Sequence, residues 1–219
     1  MIGFRFAAKA VVFFAACTLP VFGDAVDFTT TGVFDCGAAI GCSTSNGGST
    51  VTISNSGNTL TMTATGFTYG PGNGILPSNP DSDQVNIITF NTSAHSSPGV
   101  NTSGLGFTLD IDQTVPAGSP NSGSLLGSFS GRIDASGSNT TVSFAPDQTS
   151  LTLGGNITYT LNFLDPSNSV WTIPNSGLSP SFGQTTETAT ITPEPTFMML
   201  SGLGFVGLGF AAYRRKRTV

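Results

Sequence analysis

The chain has 219 residues and a formal charge of −5, and that charge is unevenly distributed. Between Asp24 and Thr192 a single basic residue, Arg132, stands against eleven acidic residues, a net charge of −10. An acidic surface repels phosphate backbones, so we expect no nucleic-acid partner. The same region contains no lysine, which excludes Schiff-base chemistry and lysine-dependent phosphate loops there.

Residues 1–23 have the features of a secretory signal peptide. Arg5 and Lys9 supply a positive start, and the apolar run 10–21 has the length of a signal-peptide core. We expect cleavage before Asp24, with cleavage after Ala25 as the alternative. Residues 24–192 then form one exported domain, a normal size for a single domain.

Two cysteines near the start of this domain flank a short loop that contains glycine. Cys36 and Cys42 are six positions apart, and an exported chain meets an oxidising environment. A disulfide is therefore predicted. The alternative, a metal site, needs two further ligands that are not evident, because His95 is the only histidine.

From Asp24 onward the apolar residues alternate with a period of two, as they do in strands. For example, Leu105, Phe107 and Leu109 share one face of a strand. Turn signals separate the segments, and no run has apolar residues at helical spacing. These patterns predict an all-β fold, an antiparallel β-sandwich of jelly-roll or Ig-like shape. The predicted strands are 25–28, 49–54, 59–69, 84–91, 104–115, 124–134, 140–145, 149–163, 170–173 and 187–192.

Four aspartates are weak candidates for a Ca²⁺ site, because Ca²⁺ prefers oxygen ligands. Asp110 and Asp112 point to one side of a predicted strand, and Asp81 and Asp83 lie in a predicted loop. Neither pair forms a 12-residue calcium loop, and aspartates in an acidic exported protein are more often solvated surface. We therefore expect no cofactor, with Ca²⁺ as the exception to test.

Two aromatic residues, Trp171 and Tyr69, are candidates for stacking on sugar rings. Core packing is the commoner fate of a lone tryptophan in a β-domain.

The sequence gives little support for a hydrolase. His95 lies in a polar stretch before a proline, and no Gly-x-Ser-x-Gly motif of a serine hydrolase occurs. A glycosidase needs two carboxylates at a set separation, and the sequence alone cannot bring two of them to it. We expect no enzymatic activity.

The last 27 residues, 193–219, form a separate segment. Pro193, Glu194 and Pro195 come first, followed by 18 residues without charge, 196–213, and a basic tail, 214–219. Eighteen helical residues span roughly 27 Å, enough to cross a bilayer as a short transmembrane helix. The cluster of four cations places the tail in the cytoplasm and the domain outside; it consists of Arg214, Arg215, Lys216 and Arg217.

This tripartite order of Pro-Glu-Pro triplet, apolar helix and basic end resembles the PEP-CTERM sorting signal of Gram-negative bacteria. The resemblance implies that an exosortase, a membrane protease, cuts near the triplet and passes the protein to the cell surface or to an exopolysaccharide matrix. We expect a non-catalytic surface or matrix protein, anchored in the inner membrane before processing. A carbohydrate-binding or adhesive module is the first alternative, and a glycan-active enzyme the second.

Overall fold

The computed structural model describes residues 26–55, 57–70, 83–94, 99–133, 139–164, 167–173 and 183–193. The predicted signal peptide, transmembrane helix and basic tail lie outside these residues. In the described part the chain forms fifteen strands and three short 3-10 turns. The strands are β1 Asp27–Asp35, β2 Cys42–Ser45, β3 Thr50–Asn55, β4 Asn58–Gly66, β5 Thr68–Tyr69, β6 Asp83–Ala94, β7 Val100–Asn101, β8 Gly106–Val115, β9 Ser122–Ser130, β10 Arg132–Ile133, β11 Thr141–Phe144, β12 Ser150–Leu153, β13 Ile157–Leu161, β14 Val170–Thr172 and β15 Gln184–Pro193.

Two large antiparallel sheets face each other, which confirms the predicted all-β sandwich. The six-stranded sheet has the order β14-β11-β9-β8-β1-β5, and the seven-stranded sheet has the order β12-β13-β15-β6-β4-β3-β2. Strand β1 packs across β4 and β6, and β9 packs across β12. A small third ladder joins β7 and β10.

The alternation in the sequence explains which side of each strand faces the core. In β8 the side chains of Phe107, Leu109 and Ile111 are buried, while those between them face outward. Full burial of one such side chain stabilises the fold by about 1.5–3 kcal/mol. The centre of the sandwich is an aromatic cluster with ring centroids 5.1 to 6.3 Å apart, formed by Phe34, Phe90, Phe107 and Phe129.

Four predicted strands differ from the observed ones, and β2 and β7 were not predicted. The predicted strand 59–69 is divided into β4 and β5, which lie in different sheets, and 124–134 is divided into β9 and β10.

Glycine explains the other two differences. The predicted strand 149–163 is a hairpin of β12 and β13, because the turn Gly154–Asn156 reverses the chain with Gly155 at φ 72°. The strand predicted at 25–28 continues to Asp35 as β1. Gly32 interrupts the apolar pattern there, yet a Cβ at Gly32 would lie 2.7 Å from the Ala64 side chain, so this strand needs glycine to pack against the opposite sheet.

The sandwich has two ends, which we name after their main features. At the exit end lie the start of β1, the β8–β9 turn at 116–121, the turn Gly154–Asn156 and the end of β15 at Pro193. At the disulfide end lie the loop 36–42 and the turn at 102–105. Both described termini, Val26 and Pro193, are therefore at the exit end.

Candidate functional site

The first residue of the Pro-Glu-Pro triplet belongs to the folded sheet. Strand β15 lies between β13 and β6, and Pro193 stands opposite Ile157 while Thr192 stands opposite Thr158. On the other side the last described pair with β6 is Ile191 opposite Asp83, where the described part of β6 begins. The pairing with β13 continues to Pro193, so no linker separates the sheet from the triplet.

Alternating side chains hold β15 in this interior position. Ala189 and Ile191 are fully buried in the core, whereas Thr188, Thr190 and Thr192 are partly exposed on the outer side. A shift of register between Glu187 and Thr188 divides the strand into two halves. The half of β15 nearest the triplet, residues 188–193, therefore contains the two side chains of this strand that are fully buried in the core, Ala189 and Ile191.

The predicted disulfide is confirmed. Cys36 and Cys42 are bonded, with their Cα atoms 5.6 Å apart. Backbone hydrogen bonds fix the closed loop on two sides: the amide of Ala38 donates to the carbonyl of Gly104 at 3.2 Å, and the amide of Ser54 donates to the carbonyl of Gly41 at 2.9 Å. The disulfide therefore closes one end of the sandwich.

Three of the four candidate calcium ligands lie in the described residues, in two different sheets. Asp110 and Asp112 lie on the outer side of the six-stranded sheet, where Asp110 accepts a hydrogen bond from Ser124 Oγ at 2.5 Å. Asp83 begins β6 in the other sheet, and Asp81 lies outside the described residues. Within the described ranges no group of three or more His, Cys, Asp or Glu side chains is placed to hold a metal ion.

Trp171 belongs to the core and not to a sugar-binding surface, which corrects the stacking prediction for this residue. Its side chain is 1% exposed, and its indole N–H donates to the carbonyl of Asn162 at 2.9 Å. The ring meets Phe144 edge-on, with centroids 4.7 Å apart. Trp171 is buried because aromatic side chains from β6, β11 and the segment after β13 pack around its ring, although β14 itself is short.

Tyr69 is placed differently, at the edge of the six-stranded sheet. Its ring stacks on Phe28 with centroids 4.8 Å apart, and its hydroxyl donates to the carbonyl of Asn86 at 3.1 Å. Burial raises the pKa of Tyr69, and the backbone hydrogen bond partly opposes this. The side chain remains partly exposed, so it stays a candidate for contact with a ligand.

Glu187 is a titratable group that sequence reasoning did not single out. It lies in β15 opposite Ile88, and burial raises its pKa to about 7, although a hydrogen bond from Thr185 Oγ1 at 3.1 Å lowers it. It is the only glutamate between Asp24 and Thr192, and it falls within an apolar alternating segment. A single carboxyl group within an apolar alternating segment is the signal by which the sequence could have indicated this partly buried, titratable residue.

The outer side of the seven-stranded sheet is lined with hydroxyl and amide side chains, and we call it the hydroxyl face. Only two of the seven strands contain a charged residue, Asp83 in β6 and Glu187 in β15. Cross-strand hydroxyl pairs occur across it, such as Thr89 with Thr186 at 2.8 Å. The face consists of Thr50, Thr52, Thr59, Thr61, Thr63, Thr65, Thr89, Asn91, Ser93, Thr152, Thr158, Thr160, Thr186, Thr188, Thr190 and Thr192.

Comparison with protein families finds one match: the PEP-CTERM protein-sorting motif, at residues 192–216. The predicted recognition is thus confirmed, and the match begins inside β15. The motif marks an exported protein that is anchored in the membrane before an exosortase processes it. No curated protein and no solved structure matches the chain. Among the described residues no helix is long and apolar enough to cross a membrane; the predicted span 196–213 lies outside them.

Proposed function

We propose that this chain is a non-catalytic protein of the cell surface or exopolysaccharide matrix, and that its hydroxyl face contacts neutral sugar chains. The hydroxyl face is the observation that carries the proposal. Its side chains both donate and accept hydrogen bonds, as sugar hydroxyls do. Because the side chains of this face are uncharged, binding a sugar there avoids the free-energy cost of removing water from a charged group. The sorting motif supplies the delivery outside the cell.

The surroundings of the acidic residues favour this role over glycan hydrolysis. A glycosidase needs two carboxylates flanking the bond to be cut, one of them kept protonated by its environment. Asp110 and Asp112 lie on the open side of a sheet, and Asp112 is exposed to solvent. Glu187 is partly buried but lies in the opposite sheet. The pair Asp110 and Asp112 thus lacks the enclosure that such chemistry requires.

Binding to the exopolysaccharide of the native host tests the proposal. Thr52 and Thr61 stand opposite each other on β3 and β4, within the hydroxyl face. The double change Thr52→Glu and Thr61→Glu removes two hydroxyl donors worth about 1 kcal/mol each and adds two charges that must lose water on binding, so we expect co-sedimentation with the polysaccharide to weaken roughly tenfold or more.

The matched control changes a facing pair on the outer side of the six-stranded sheet, Ser128→Glu with Ser143→Glu. It adds the same charge, and we expect it to leave binding at the wild-type level. Thermal melts establish that both variants fold. Equal loss in the two variants, or no binding by the wild type, would contradict the proposal.

A further inference from the structure

We propose that the folded sheet controls access of the exosortase to the sorting motif: Thr192 and Pro193 must separate from β13 before the chain is cut. This inference rests on the processing that the motif directs. In this substrate the last residues of the folded domain, Thr192 and Pro193, are also the first residues of the sorting motif.

The pairing of β15 supplies the obstacle. A protease that reads an extended segment forms main-chain hydrogen bonds with it, as an added strand does. Just before Glu194, Thr192 stands opposite Thr158. The amide of Asn162 donates to the carbonyl of Thr188, so alternate residues of β15 from Thr188 to Thr192 direct their backbone groups toward β13. The groups of Thr192 on this edge cannot bond to β13 and to a protease at once.

The opening is confined to two residues by the pattern of pairing and burial. Pro193 has no N–H to donate, so the final pair with β13 lacks one backbone donor. Ala189 and Ile191 are fully buried, which fixes the rest of the strand. Local opening of this kind costs far less than global unfolding.

Little chain is available to bypass this obstacle. Only Glu194 and Pro195 separate Pro193 from the predicted span that begins at residue 196. Three residue steps reach at most about 10 Å even when fully extended. Without opening, a protease at the membrane would therefore have to cut within about 10 Å of the sheet.

A reversible crosslink tests the proposal in the full-length precursor. Residues that face each other in an antiparallel pair have Cα atoms close enough for a disulfide. Thr158→Cys with Thr192→Cys would lock the end of β15 to β13. In isolated membranes of the native host, we expect cleavage of the crosslinked precursor to be lost and to return when a reductant is added.

The matched control places the crosslink at the opposite end of β15, through Asn91→Cys with Gln184→Cys. It leaves Thr192 and Pro193 free, and we expect cleavage at the wild-type rate with and without reductant.

A third precursor combines the Thr158–Thr192 crosslink with an insertion between Pro193 and Glu194. The insertion is a Gly-Ser spacer followed by a second Thr-Pro, so that a complete Pro-Glu-Pro triplet lies beyond the spacer. We expect it to be cleaved while still crosslinked, because its triplet lies beyond the sheet.

The outcomes separate this inference from the sorting function. Cleavage of the Thr158–Thr192 crosslinked precursor at the wild-type rate, or failure of the spacer to restore cleavage, would overturn the requirement for opening. A wild-type precursor that stays uncut would instead overturn the sorting function and this inference with it. Mass spectrometry of the products locates the new C-terminus in each case.

Discussion

The two ends of the sandwich are closed by different means. At the exit end the closure is noncovalent and centred on Gln113, which is 2% exposed. Its side-chain amide donates to the carbonyls of Pro116 at 2.8 Å and Gly154 at 2.6 Å, and its oxygen accepts from the hydroxyl of Tyr159 at 2.9 Å. Burial raises the pKa of Tyr159, so this hydroxyl remains a donor. One side chain thus ties two turns and a strand together.

At the disulfide end the closure is covalent and local. Cys36 and Cys42 join positions six apart, whereas the bonds from Gln113 to Gly154 and Tyr159 span 41 and 46 positions. The loop that the disulfide closes is exposed, with Ile40 87% accessible to solvent. The comparison teaches that an exported domain can close one end with a solvent-exposed loop when a covalent bond holds that loop. The end next to the sorting motif is instead closed by buried hydrogen bonds.

The largest effect is expected from breaking the exit-end network. Gln113→Leu keeps the size of the side chain but leaves two buried polar partners and one partly buried partner unsatisfied, so we expect a loss of roughly 3 kcal/mol in the free energy of unfolding. Tyr159→Phe removes one of these bonds and should cost about 1 kcal/mol. Urea denaturation measures both. A loss for Gln113→Leu no greater than that for Tyr159→Phe would contradict a central role for Gln113.

A second change tests the close packing of the two exit-end turns. A Cβ at Gly154 would lie 2.5 Å from the Cα of Gly118, so the backbone must shift to admit it. We expect Gly154→Ala to destabilise the fold by about 2 kcal/mol, as overpacking does. Gly70→Ala is the matched control, because nothing lies within 4 Å of a Cβ there. Equal melting temperatures for the two variants would show that the turns adjust freely.

At the disulfide end, Cys36→Ser with Cys42→Ser removes the covalent closure. The chain-entropy estimate for a loop of this size is about 2 kcal/mol, a little less than for longer loops. We expect the double variant to fold and to show this loss in the same denaturation experiment. Reduction of the wild type should lower its stability equally and leave the double variant unchanged. An unchanged wild type would mean that the hydrogen bonds of the loop suffice.

The smallest effect concerns Glu187, in the half of β15 nearer the disulfide end. Its pKa is raised from 4.5 to about 7 in the folded state, so the folded protein holds a proton that the unfolded chain releases between these values. Stability should therefore fall as the pH rises through this window. Because the side chain is partly exposed, we expect Glu187→Gln to be more stable than the wild type by only about 1 kcal/mol at pH 8.

At pH 4 the difference between Glu187→Gln and the wild type should vanish, since the carboxyl is protonated in both the folded and the unfolded chain. Thermal melts of the two proteins across this range measure it. Glu187→Asp keeps a carboxyl group and is the matched control, so it should retain a dependence on pH. A constant difference between the wild type and Glu187→Gln at all pH values would contradict the raised pKa.

Local patterns in the sequence determined much of this molecule. Alternation from Leu105 to Ile111 predicted a strand with one buried side, and β8 has it. The spacing of Cys36 and Cys42 predicted the disulfide, and the triplet from Pro193 to Pro195 predicted the sorting motif. Each of these features depends on residues close together in the chain, so each could be recognised without knowledge of the fold.

The tertiary structure decided what depends on residues far apart. Alternation predicts that the strand containing Trp171 has an inner and an outer side, but it does not say on which side Trp171 lies. Trp171 is buried because Phe90 and Phe144, on other strands, pack against it. The strand order decided that β15 lies in the interior of a sheet, and so that the sorting motif begins in paired backbone. Periodicity specifies the faces of a strand but not its neighbours, because pairing is settled by contacts between distant segments that bury those faces together.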